Sequence, residues 1–139
     1  MNIVTTDRGD QATERDPADV LPLTPAAFAI TLVLAERARH GYAIMQEVGR
    51  LTDGELTLGP GTLYRSLQRL RVDGVIEELV DHSDPSSEDE RRRYYRLTSF
   101  GRRLARAESA RLARLVDAAA ARGLLARMPT RRRERRDGR

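Results

Sequence analysis

The sequence predicts a mainly α-helical chain with one small β-hairpin and a long helix towards its C-terminal end. Three observations carry this expectation. Leu63, Leu67 and Leu70 recur at the i, i+4, i+7 spacing of a single helix face, as Ile44, Val48 and Leu51 do before them. A β-type run, Val75 to Val80, is followed after a turn-rich stretch by the aromatic run Arg91 to Leu97. Beyond Thr98-Ser99 an apolar stripe threads between arginines as far as Arg122.

The elements follow in order. Thr24-Pro25 supplies an N-cap residue and a proline at the first helical position. Phe28 and Ile30 to Ala35 are then apolar on nearly all sides, as in a helix buried against neighbours or a partner chain. This helix is expected to end near Arg39, with His40-Gly41-Tyr42 as a break. The second helix carries Ile44, Val48 and Leu51, with Met45 beside them, and stops at Thr52-Asp53-Gly54. Gly59-Pro60-Gly61-Thr62 opens a third helix. At ~100° per residue, the side opposite its leucines presents Gly61, Thr62, Arg65, Gln68 and Arg69, with Tyr64 on the flank. Asp73-Gly74 closes it.

Val75 to Val80 (VIEELV) reads as a strand, although Glu77-Glu78 interrupts its alternation. HSDPSSEDE, residues 82–90, forms an acidic tip, and RRRYYRL returns with Tyr94 and Tyr95 on opposite sheet faces. Thr98-Ser99 caps a last helix bearing Leu104, Leu112, Leu115, Val116 and Ala119, ended by Gly123 or Pro129. Three helices, a hairpin and a long final helix in this order make a winged helix-turn-helix with an extension. The third helix would enter the major groove and the hairpin would be the wing. The expected organisation is a disordered acidic segment (1–20), the winged unit (21–98), a C-terminal helix (99–128) and a disordered basic tail (129–139).

Charge and composition narrow the function. All 25 basic residues are Arg, against 21 acids, for a net +4. That total hides a polarity: residues 1–20 carry two Arg and five acids, residues 21–122 sixteen and fourteen, and residues 123–139 seven and two. A basic end adds nonspecific attraction to polyanions or is simply a solvated terminus. With no Cys and only His40 and His82, no thiolate or His-based metal centre is expected, and no cofactor. No run approaches a membrane span and the N-terminus lacks an apolar signal core, so a cytoplasmic protein is expected. Enzymatic chemistry is not expected either: there is no Gly-x-Ser-x-Gly, no Lys for a P-loop and no acid–base set around the histidines.

The motifs HGYAIMQEV (His40 to Val48), LGPGTLYRSLQRL (Leu58 to Leu70), DGVIEE (Asp73 to Glu78) and RRRYYRLTSFGRRL (Arg91 to Leu104) closely resemble, in order and spacing, those of the PadR-family transcriptional regulators of bacteria. The resemblance covers about residues 23–122. It implies a homodimeric winged-helix DNA-binding protein, usually a repressor, with the last helix building the dimer. The dimer surface it implies is Phe28, Leu32, Leu104, Leu112, Leu115, Val116 and Ala119. Some members release DNA when a phenolic or other hydrophobic effector binds, expected here around Phe28, Leu32, Leu112 and Leu115 unless the interface is dry and filled. Ser99 departs from the proline common in the family, which touches only the rigidity of the helix start. A single helix after the wing is similar to the short-form members, and without Trp no site of stacked tryptophans carries over.

The candidate DNA contacts are Gly61, Thr62, Tyr64, Arg65, Gln68 and Arg69 on the third helix and Arg91, Arg92 and Arg93 on the hairpin return. Each has a plainer alternative. Arg65 and Arg69 reach a guanine edge or a phosphate, or form a solvated face. Thr62 and Tyr64 contact phosphates by their hydroxyls, or Tyr64 packs on the second helix. Gln68 pairs with adenine or is merely exposed. Gly61 admits a close backbone approach or eases the turn. The wing arginines meet phosphate or minor groove, or pair with Glu88, Asp89 and Glu90 just before them. His40 reads as a turn or cap residue rather than a ligand. Two functions of different class remain: a dimeric operator-binding repressor, and a dimeric protein-interaction module that kept the winged fold.

Overall fold

A computed structural model of the chain describes residues 15–80 and 93–126. A short 3-10 turn, Pro17–Asp19, precedes α1 (Pro25–Glu36), β1 (Arg39–His40), α2 (Gly41–Leu51), α3 (Pro60–Val72), β2 (Ile76–Val80), β3 (Arg93–Leu97) and α4 (Ser99–Ala121). The mainly helical winged arrangement is as the sequence predicts. The described chain divides into two units, one ending at Glu108 and the other starting at Ser109. The winged unit thus extends past residue 98 into α4, because Phe100, Gly101, Leu104, Ala105 and Glu108 are buried in it.

Local chemistry sets the helix starts. Thr24 Oγ1 accepts from the Ala27 amide at 3.1 Å with Pro25 behind it, so α1 starts where the cap residues predict. It ends at Glu36, three residues before the expected Arg39. The cause is Arg39 itself, whose backbone joins the sheet while its buried guanidinium turns back on α1. That guanidinium donates to the Val33 carbonyl at 3.3 Å and meets the Glu36 carboxylate at 2.7 Å. At the end of α2, Thr52 Oγ1 donates to the Val48 carbonyl at 2.8 Å and accepts from the Leu56 amide at 3.1 Å, which turns the chain towards α3.

The expected two-stranded hairpin is a three-stranded antiparallel sheet of order β1-β3-β2. Arg39 pairs with Tyr95 and His40 with Tyr94, while Ile76 faces Leu97 and Glu78 faces Tyr95 across β2 and β3. The register resolves the Glu77-Glu78 irregularity. Glu77 ion-pairs across the strands with Arg96, and Glu78 lies on the Ile76 and Tyr95 face, where Arg71 at 2.6 Å and Arg93 at 3.1 Å hold its carboxylate. One core joins Ile30, Val33 and Leu34 of α1, Ile44 and Val48 of α2, Leu63, Leu67 and Leu70 of α3, Tyr95 and Leu97 of β3, and Phe100 and Leu104 of α4. The end of α4 is set by Gly123, at φ +70°, rather than Pro129, which lies outside the described residues. No helix among the described residues is long and apolar enough to cross a membrane.

Candidate nucleic-acid interface

The burial of α3 divides it as its leucines predict. Leu63, Leu67 and Leu70 are buried, and Gly61, Thr62, Tyr64, Arg65, Gln68 and Arg69 are exposed. With 13 residues at ~1.5 Å per residue, α3 offers about 20 Å of rod. Thr62, Arg65 and Arg69 lie one turn apart along its outer side, with Gln68 beside Arg65. Because Pro60 has no amide hydrogen and the Leu63 amide already reaches the Gly59 carbonyl at 2.9 Å, the amides of Gly61 and Thr62 are left to meet an outside acceptor at the positive end of the helix. A Cβ built on Gly61 would meet nothing within 4 Å, so no neighbour in the fold demands glycine there.

The two helix arginines differ. Arg69 holds Asp73 at 3.3 Å, one turn on, while its side chain stays 80% exposed. Arg65 forms no ion pair among the described residues. Tyr64 packs on the second helix, as its plainer alternative expects: the ring lies against the start of α2, its hydroxyl 3.1 Å from where a Cβ on Gly41 would stand, and part of the side chain remains exposed.

The wing is partly outside view, because Arg91 and Arg92 lie beyond the described residues. Arg93 is described and is engaged by Glu78, while the acidic tip lies outside the described residues. Glu78 is only 12% exposed and binds Arg71 of α3 as well, so one carboxylate ties the end of α3 to the base of the wing. The sequence reading missed this link, since its three residues lie on three different elements that only the tertiary fold brings together; the carboxylate that interrupts the β2 alternation was the signal. Tyr95 packs on the same face, and burial, followed by the charge of Glu78, raises its phenol above 10.0. Tyr94, on the opposite face, is half-buried, its ring 5.7 Å from His40. His40 stands at the N-cap of α2, as a turn residue should, but its Nδ1 faces the Arg93 carbonyl at 3.2 Å rather than capping the helix.

Of the expected dimer residues, one is corrected. Leu104 is 0% exposed inside its own chain, in the core with Phe100 and Leu97, and has no surface left for a partner. Phe28 and Leu32 are half-buried in the first unit; in the second, Leu112 and Ala119 are half-buried and Leu115 and Val116 exposed. A buried acid also escaped the sequence reading: Glu108, 1% exposed, accepts the Leu23 amide at 2.7 Å. Among the described residues no cluster of His, Asp or Glu is arranged to hold a metal.

This geometry has close counterparts. The fold matches a PadR-family transcription regulator of Clostridium difficile R20291, with TM-score 0.60 and 23% identity over 70% of this chain and 97% of that one. It also matches the PadR-like transcription factor of Bacteroides fragilis, with TM-score 0.58 and 24% identity over 68% and 86% of the two chains. The sequence profile of the Transcriptional regulator PadR-like family matches residues 30–107, more than half of the chain. The chain belongs to the PadR-like family. It is accordingly a DNA-binding transcriptional regulator of that family, and the match takes in α2, α3, the sheet and the start of α4.

Two further likenesses lie beside this one. The PcaV transcriptional regulator of Streptomyces coelicolor, solved with its natural ligand, is 27% identical over 76% of this chain and 64% of its own, with TM-score 0.57. A curated but uncharacterised protein of Lysinibacillus sphaericus is 38% identical over 74 residues, 52% of this chain. The chain spans 64% of the length of that relative.

Proposed function

We propose that this PadR-like protein is a homodimeric, cytoplasmic repressor that sets two copies of α3 into major-groove half-sites of a pseudo-palindromic operator. The observation that carries the reading is the outer face of α3, where Thr62, Arg65, Gln68 and Arg69 stand exposed directly behind a fully used leucine stripe. Arg65 and Gln68 read bases; Gly61, Thr62, Tyr64 and Arg69 position the helix on phosphates; and Arg91, Arg92 and Arg93 serve the wing. The exposed Leu115 (57%) and Val116 of the second unit, with Leu112 and Ala119, supply apolar surface for a second copy; in the first unit, Phe28 and Leu32 are the residues offered to the partner. Release by a small hydrophobic or phenolic effector completes the proposal, which the ligand held by PcaV supports by analogy.

The test is selection of genomic fragments by the purified protein, followed by titration of the winning site and a scrambled duplex at several salt concentrations. A two-fold symmetric site preferred about a thousandfold or more over the scramble, at two chains per site, supports the reading. Equal affinity for both duplexes overturns it.

A further inference from the structure

A cavity of about 360 Å³ opens beside α3, between that helix and the segment that leads into α1. Its size falls in the range of small-molecule sites, roughly 300–1,000 Å³. Val20 and Leu23 of the leading segment, Ala27 of α1 and Leu70 of α3 give it apolar walls, and Arg65 and Arg69 line its α3 side. Ser66 adds a hydroxyl, and Asp73 a carboxylate that Arg69 already holds at 3.3 Å. One positive charge, that of Arg65, is left over. Hydrogen bonds within the fold tie the cavity walls: the Leu23 amide donates to buried Glu108 at 2.7 Å, Thr24 caps α1, and the Arg15 guanidinium donates to the Asp73 carbonyl.

We infer that this cavity binds a small organic monocarboxylate, its apolar body on Val20, Leu23, Ala27 and Leu70 and its carboxylate on Arg65, in direct competition with DNA. An uncharged molecule would forgo the charge-assisted hydrogen bond to Arg65, and a cation would face two guanidiniums. The ligand therefore acts on the reading helix itself, through a site distinct from an effector site at the dimer surface. This inference rests on the assignment of α3 as the DNA-reading helix, because the competition requires Arg65 to serve both ligands.

The test uses the full chain and four probes of similar bulk: hexanoate, cyclohexanecarboxylate, 1-hexanol and hexylamine. Each is titrated without DNA while the methyl signals of Leu23, Ala27 and Leu70 are followed by NMR, and then against the preformed complex with the selected DNA. The two carboxylates are expected to shift these methyls, to bind about tenfold or more tightly than 1-hexanol, and to displace DNA in the order of their affinities. Ala27→Leu, which fills the cavity without touching the outer face of α3, is expected to cut carboxylate affinity about tenfold while DNA affinity stays within about twofold. The methyl map locates the site whether or not that variant folds. Carboxylates that leave all three methyls unmoved, or that bind no better than 1-hexanol, overturn the inference while the DNA-reading assignment stands. Carboxylates that fill the site yet leave the DNA complex intact overturn the competition. A protein that binds carboxylate but selects no DNA sequence instead overturns the function proposed for α3, and the competition with it.

Discussion

Gly101, in the first turn of α4, is where this fold tolerates a side chain least. A Cβ built there would lie 2.0 Å from the Val75 carbonyl oxygen, 3.0 Å from its carbon and 3.2 Å from a Leu97 methyl. Carbon and oxygen sit no closer than about 3.3 Å even in a weak hydrogen bond, so Gly101→Ala must move α4 away from the start of β2 by more than ~1 Å. Thr98 makes that movement costly. Its Oγ1 donates to the Gly74 carbonyl at 2.6 Å and accepts from the Gly101 amide at 3.0 Å, and its own amide donates to the Val75 carbonyl at 3.1 Å. Overpacking of about 1–3 kcal/mol plus one or two lost hydrogen bonds of about 1 kcal/mol each exceeds the ~1 kcal/mol that alanine gains in helix propensity. The net loss is about 2–4 kcal/mol, a fall in Tm on the order of 10–20 °C for a domain of this size. Thermal and urea denaturation followed by circular dichroism measure it. Gly49→Ala, inside α2 with nothing within 4 Å of the added carbon, is the internal control and should stabilise by about 0.5–1 kcal/mol. A Gly101→Ala protein that melts at or above the parent temperature would refute the packing argument.

Three other outcomes are expected. Arg65→Ala should lower the discrimination between operator and random duplex by about 1–3 kcal/mol, read as the ratio of two dissociation constants; an unchanged ratio removes Arg65 from base reading. Glu78→Gln removes the charge shared by Arg71 and Arg93, so stability should fall by about 2 kcal/mol in urea. The freed Arg93 should also steepen the salt dependence of DNA binding by about one counterion; parent-like values in both measurements would dismiss the Glu78 link. Tyr95 has its folded-state pKa raised, so the neutral phenol is favoured by folding. Its contribution to stability is full below about 10, the unfolded value, and is lost as pH rises through the higher folded value. Tyr95→Phe should therefore flatten the alkaline limb of the stability–pH curve, and a limb of unaltered steepness counts against the assignment.

The long elements were legible because their signals are periodic. Leu63, Leu67 and Leu70 fixed both the existence of α3 and the side it buries, and with that the exposure of Thr62, Arg65, Gln68 and Arg69. Thr24-Pro25 and Gly59-Pro60 marked helix starts by local hydrogen-bond chemistry, which acts within a few residues. What stayed hidden depends on partners distant in sequence. A two-residue strand such as Arg39–His40 has no period to detect and exists only because β3 offers an edge. Arg39, expected near the end of the first helix, is instead drawn into the sheet by its pairing with Tyr95, 56 residues later. Leu104 fitted an apolar stripe equally well as core or as interface, and only packing separates the two. Glu108 gave no hint of burial, because the amide it satisfies belongs to Leu23, 85 residues earlier.

The central position of β3 constrains how the wing can move. Its edges are occupied on both sides, by β2 along the hairpin and by Arg39–His40 at the entry to α2. A one-residue slip of the returning strand would exchange Tyr94 and Tyr95 between faces and break both ladders together. The tilt of the hairpin and the approach of the chain to α2 thus behave as a single mechanical variable. Displacing β3 would therefore disturb its pairing with His40, at the head of α2, as well as its pairing with β2.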